Sequence, residues 1–220
     1  LMFDNPRDAF AIAESMLGYS FNTEDEQELK NCADLLATQS PVLQGYVMDQ
    51  IFDRMERGEA WAAPYYAGDY LTMVEENPDL GFSHPKEGFN IFIDAMCIPK
   101  GCQNKEGAEA FINFLCRPDI SAANLDYIGY STPETAAKEY LDEEIVNDPV
   151  AYPDDETLAR SESFAELSIE ATQQMNDLWL SVKTSNSNTT LYLVLTIAAV
   201  VAVILFFTIQ NAARRRRKAR

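Results

Sequence analysis

Few side chains in this sequence have the types and spacing for covalent or metal chemistry. There is one histidine, His84, and there are four cysteines, Cys32, Cys97, Cys102 and Cys116, with no CxxC pair and no histidine close by. Zinc coordination and Cys/His nucleophilic catalysis both need such groupings, so neither a metal site, a cofactor nor a catalytic residue is assigned. His84 precedes Pro85 in a loop without an evident serine or cysteine partner, which counts against an enzyme. Tyr65 and Tyr66 form an adjacent pair of the kind a ferric-ion site uses, but if 61–66 is a strand the two side chains point to opposite faces. Asp94 is a different case. It stands in the apolar run FNIFIDAMCI at 89–98, where an uncompensated carboxylate costs several kcal/mol, and so it needs a partner.

The elements that must position such residues alternate along the chain. Asn5 and Pro6 cap and open a helix that carries Ala9, Phe10, Ile12, Ala13, Met16 and Leu17 on its buried face and ends at Gly18. Thr23 with Glu26 makes a capping box for a second helix bearing Leu29, Cys32, Leu35 and Leu36. A third helix is expected over 48–57, ending at Gly58. The runs 61–66 and 89–98 have the length and composition of buried strands. Helices are expected again at 105–116, 119–127, 133–140 after a Thr132 cap, and 164–182. Strands separated by helices imply an α/β domain with a mainly parallel sheet, whose ligands bind at loops beyond the strand ends.

Residues 191–210 read LYLVLTIAAVVAVILFFTIQ without one charge, and six basic residues follow by position 220. Twenty helical residues reach about 30 Å, the thickness of a bilayer's hydrocarbon core. The pairing reads as a single transmembrane helix with a cytoplasmic tail at 211–220, which puts the preceding residues outside the cytoplasm. The expected organisation is a solute-binding α/β domain over 1–183, outside the cytoplasm, then a linker at 184–190, the span and the tail. Six of the 17 basic residues lie in that tail, so the remainder carries 11 basic against 35 acidic side chains, a net charge of about −24. Nucleic acid is thereby an unsuitable partner, whereas a cation is drawn in by such a field. An oxidising exterior permits a disulfide from Cys97 to Cys102 or Cys116. Cys32 and Cys116, however, fall on apolar helix faces as core residues, and no obligatory bridge is expected. The chain opens on Leu1 without an export signal, and the sequence reading expects further protein ahead of it.

Several short motifs follow one another in a familiar order: PKEG at 85–88, FID at 92–94, IP at 98–99, NKEG at 104–107, FINFL at 111–115 and RPD at 117–119. IGY at 128–130 with TP at 132–133, then YPD at 152–154, continue the series. In this the chain resembles the spermidine/putrescine-binding proteins of ATP-binding-cassette (ABC) polyamine importers over about residues 1–183. The resemblance implies a periplasmic-binding-protein type II-like lobe, a largely missing N-terminal lobe, a polyamine ligand and ABC permease partners. It places Asp8, Tyr66, Asp69, Phe92, Asp94 and Tyr130 at ligand-contacting positions, with Asn5 beside them. Three carboxylates and three aromatic faces suit a ligand of ammonium groups joined by methylene chains. Tyr66 and Phe92 stand where spermidine-type members have tryptophan, and Asn5 stands where they have an acid, whereas Ala67-Gly68-Asp69 is closer to putrescine-type members. A small polyamine is expected without a choice between the two. The alternatives are a ferric-ion-binding relative of the same fold and a membrane-anchored extracellular enzyme.

Overall fold

The computed structural model describes residues 1–185 together with 197 and 198. The proposed span at 191–210, the tail at 211–220 and most of the proposed linker lie outside the described residues. Among those described, no helix is long and apolar enough to cross a membrane.

The chain opens with β1 (Met2–Phe3) and α1 (Pro6–Leu17). Asn5 caps α1 as its sequence requires, its side chain accepting from the Arg7 amide at 2.9 Å, and Gly18 closes the helix at φ 72°. Next come α2 (Glu26–Thr38), β2 (Tyr46–Val47), α3 (Ile51–Glu56) and α4 (Ala67–Glu76). β3 (Phe89–Asn90) leads to α5 (Lys105–Leu115) and α6 (Pro118–Ile128). A 3₁₀ turn (Thr135–Tyr140), the short α7 (Glu143–Val146) and α8 (Asp155–Leu158), β4 (Ser161–Glu162) and the long α9 (Ile169–Ser185) complete the order.

Both strand pairings are parallel, as the alternation of elements implies. They form two separate ladders, β1 with β2 and β3 with β4, rather than one sheet. The core packs α1 against α2 and α9 through Phe10, Leu29, Cys32, Trp179 and Val182, with Met2 and Phe3 of β1 beneath. A smaller cluster of Val47, Ile51 and Met73 joins β2, α3 and α4, and Tyr65 packs against both clusters.

The structure corrects several expected elements. Residues 61–66 are not a strand: they join no ladder, although the Ala62 carbonyl accepts from the Leu1 ammonium at 2.8 Å; Trp61 is fully exposed, and the helix α4 follows directly with Tyr66 as its N-cap. The expected strand at 89–98 is reduced to Phe89–Asn90, because β4 offers only two residues of ladder. Residues 91–97 are exposed, Asp94 among them, so its carboxylate is not the buried group the sequence pattern implied. Asp25, not Thr23, caps α2, since its carboxylate reaches the amides of Gln27 and Glu28, while Thr23 donates instead to Glu28. The third helix is confined to Ile51–Glu56, and the segment after Thr132 forms a 3₁₀ turn capped by Glu134. α9 starts later than expected and runs through Thr184 and Ser185 into the proposed linker. On α1, Met16 and Leu17 are exposed and Glu14 is buried in their stead. Cys32 is buried but Cys116 is exposed, because its helix α5 buries none of its residues; all four cysteines are free thiols.

Candidate functional site

β1 ends at Phe3 beside Val47 of β2, and α1 begins three residues later, which presents its first turn at the edge of this ladder. Asp8 lies in that turn, where a carboxylate also complements the helix N-terminus. The Tyr66 phenol donates to Asp8 Oδ2 at 2.9 Å. Tyr66 is held in place by its rings' neighbours: Phe3 lies 5.3 Å away centroid to centroid, and Tyr65, itself stacked on Phe3 at 5.5 Å, lies 4.9 Å away. The adjacent tyrosines thus sit together rather than on opposite faces, because 61–66 has no strand alternation.

On the other side, the Tyr130 phenol donates to Asp69 Oδ1 at 3.2 Å. This contact depends on two glycines. A Cβ on Gly68 would lie 2.3 Å from the Tyr130 ring, and one on Gly129 would lie 2.8 Å from the Gly68 carbonyl. Gly129 also has φ 74°, the left-handed conformation that ends α6 and turns Tyr130 back onto α4. Phe92 bridges the two halves, its ring 5.5 Å from Tyr66 and 6.3 Å from Tyr130, edge to face in both cases. The result is a continuous arc of Asp8, Tyr66, Phe92, Tyr130 and Asp69, with a carboxylate at each end. The charge of Asp94 acts on the Tyr130 phenol, which places it near the arc.

The structure therefore brings together six of the seven residues singled out in the sequence. Asn5 remains a helix cap, and its recorded bond goes to the backbone. Two residues were not foreseen. Tyr65 carries part of the aromatic wall, and Asp49, exposed just after β2, acts electrostatically on both Asp69 and Tyr65. Asp49 lies two residues past β2, a strand of two residues that is too short to show a periodicity in the sequence, so no signal there pointed to it.

Burial raises the Asp8 carboxyl above the usual carboxylate range, against the opposing pull of the Tyr66 hydrogen bond and of Arg7. Asp69 is raised for the same first reason, opposed by Tyr130 and reinforced by Asp49. Among the described residues, neither of these carboxylates nor Asp94 has a lysine or arginine within ion-pair distance. Each phenol satisfies one carboxylate oxygen and leaves the other able to accept from a cation. Burial and the neighbouring aspartates push the Tyr66 and Tyr130 phenols well up, and Tyr65 to about 12. Such phenols stay protonated in the free site and serve there as hydrogen-bond donors. His84 sits between Phe82 and Phe89, at 5.0 and 4.8 Å, and its Nε2 faces the Pro149 carbonyl at 3.3 Å.

Known proteins resemble the chain over most of its length. The family model of the bacterial extracellular solute-binding proteins matches residues 1–153. The spermidine/putrescine-binding periplasmic protein of Salmonella typhimurium is 34% identical over 162 residues, which is 74% of this chain and 47% of the relative. The putrescine-binding periplasmic protein SpuD of Pseudomonas aeruginosa is 30% identical over 186 residues, 82% of this chain and 51% of the relative. Among solved structures, a putative spermidine/putrescine ABC transporter from Listeria monocytogenes superposes with TM-score 0.78 at 35% identity, over 83% of this chain and 56% of that one. The substrate-binding protein PotD of Streptococcus pneumoniae gives 0.76 at 34% identity, over 84% and 58%. The chain thus spans about half the length of the curated relatives it matches.

Proposed function

The chain belongs to the family of bacterial extracellular solute-binding proteins, and we propose that it forms part of the extracytoplasmic component of an ABC importer, holding a small polyamine for delivery to a membrane permease. The observation that carries this reading is the arc from Asp8 to Asp69: two carboxylates, each oriented by a phenol and neither matched by a lysine or arginine, at the ends of three aromatic rings. A ligand with an ammonium at each end and methylenes between complements that order group by group. Carboxylates pair with the cations, while ring faces cover the chain and add roughly 0.5–2 kcal/mol per cation. Asp94 and Asn5 complete the proposed contact set, with Asp94 offering a further carboxylate near Tyr130. The chemistry proposed is binding and release; nothing is transformed, and no cofactor is invoked.

The polyamine-binding relatives support the ligand class, since their names state spermidine or putrescine. Membrane tethering belongs to the proposal on the sequence alone: an uncharged stretch at 191–210 followed by six basic residues keeps the binding domain close to its permease. A thermal-shift panel on the full-length protein tests the ligand class. Putrescine and spermidine are expected to raise the melting temperature, and monoamines of equal length are expected to do so far less, because only one end of the arc is matched. Equal shifts from monoamine and diamine would remove the two-carboxylate reading.

A further inference from the structure

Beyond the arc, α1 carries a carboxyl that ligand binding leaves unused. Glu14 is 0% exposed, and neither of its carboxyl oxygens has a hydrogen-bond partner. Seven residues earlier on the same helix, Arg7 has one buried guanidinium nitrogen, Nη1, in the same condition. Seven residues are close to two turns of 3.6, so both side chains leave α1 on one face.

The rest of the guanidinium is fixed. Its Nη2 donates to Asn22 Oδ1 at 2.8 Å and to the Ala165 carbonyl at 3.1 Å, and the group lies 4.6 Å from the centroid of the Phe164 ring. Asn22 in turn donates to Glu162 at 2.8 Å, and Glu162 accepts from the Phe21 amide at 2.9 Å. The charged groups that act on Glu14 are Arg7 on its own helix, Glu162 on β4 and Glu28 on α2, with the buried Cys32 thiol of α2 beside it. Arg7 is the one cation among them. It acts on Glu14 electrostatically, yet no Arg7 ion pair falls within the 4 Å bonding distance among the described residues.

Two groups that act on each other without a direct bond can be joined by a water, since two hydrogen bonds of about 2.8 Å placed end to end span up to about 5.6 Å. Arg7 Nη1, Glu14 Oε1 and Glu14 Oε2 offer one donor and two acceptors. That matches the roughly three hydrogen bonds typical of a buried water. We propose that Arg7 and Glu14 enclose an internal water site between α1, the turn at 20–22 and β4, in which ordered water bridges the guanidinium to the carboxyl. The bridge ties two side chains of α1 together and braces the Arg7 guanidinium, which already joins α1 to the returning chain through Asn22 and the Ala165 carbonyl. The proposal uses no atom of the Asp8 to Asp69 arc, and so it stands or falls apart from the polyamine reading.

A dry site and a hydrated one titrate differently. Burial, opposed by Arg7 and reinforced by Glu162 and Glu28, lifts the Glu14 carboxyl from 4.5 to about 8, and hydrogen bonds donated by water pull it back toward the ordinary range. The deciding experiment is a crystal structure of the full chain at a resolution that shows ordered water, paired with a carbon-13 NMR titration of the glutamate carboxyls assigned through Glu14→Gln. The expected result is density within hydrogen-bond distance of both Arg7 Nη1 and a Glu14 oxygen. In solution, Glu14 should then titrate above its ordinary value of 4.5, and in Glu14→Leu the density should disappear. A direct Arg7–Glu14 contact, or an empty gap, overturns the proposal.

Discussion

Charge and ring placement at single residues decide what the arc can hold. Asp8 and Asp69 are raised by burial, and a bound ammonium favours their ionised forms, so binding and deprotonation are linked. Affinity for a polyamine should therefore be full at neutral pH and fall as the pH drops through these raised values, by up to about tenfold per unit for each carboxylate that must ionise. The fall should begin at higher pH than an ordinary aspartate allows, and calorimetry across a pH series reads it directly. Without ligand the sign is opposite: a carboxyl raised in the folded state contributes stability that is present below its unfolded value and lost as pH rises through the folded one, so Asp8→Asn should stabilise the free protein at neutral pH. Asp94 behaves differently because it is exposed. Asp94→Asn should leave the melting temperature unchanged, within about 0.5 kcal/mol of stability, while lowering polyamine affinity. A destabilised variant that binds normally would take Asp94 out of the proposed contact set.

At the scale of elements, the arc depends on how closely α4 and the end of α6 approach. Gly68→Ala places a methyl into the Tyr130 ring, and overpacking of this kind costs about 1–3 kcal/mol. Because the displaced ring is the donor to Asp69, the variant should lose affinity as well as stability, seen as a lower melting temperature and a weaker Kd in one preparation. Much of this arrangement was legible in advance. Asn5-Pro6 and Gly18 bounded α1, Gly129 ended α6, and the family resemblance carried by the motifs from 85 to 154 implied six residues that meet in space. What the sequence hid has physical causes. The run at 61–66 has strand composition but joins no ladder, its Ala62 carbonyl accepting instead from the Leu1 ammonium, and both tyrosines turn onto Phe3. Asp94 looked buried because its neighbours are apolar, but composition does not supply a covering layer, and residues 91–97 lie open. Glu14 sits where periodicity called for solvent, and only the packing of α2, α9 and β3 onto α1 reveals its burial.

The molecule as a whole combines a domain strongly negative up to residue 210 with a basic end. Such a field speeds the arrival of cations and is screened over about 8–10 Å at physiological salt. If 191–210 spans the membrane with 211–220 in the cytoplasm, protease added to intact cells should degrade the binding domain and spare an epitope placed on the tail. An epitope reachable from outside would contradict that orientation. The account's central claim is that two carboxylates at the ends of an aromatic arc hold the two ends of a polyamine. Titration calorimetry of putrescine and spermidine into the full-length protein, beside Asp8→Asn, Asp69→Asn and the double variant, tests it most directly. The predicted result is micromolar or tighter binding of at least one polyamine, a loss of about 2–4 kcal/mol for each single variant and no measurable heat for the double. Wild-type affinity retained in the double variant, or no heat from either polyamine with the unaltered protein, would contradict the account.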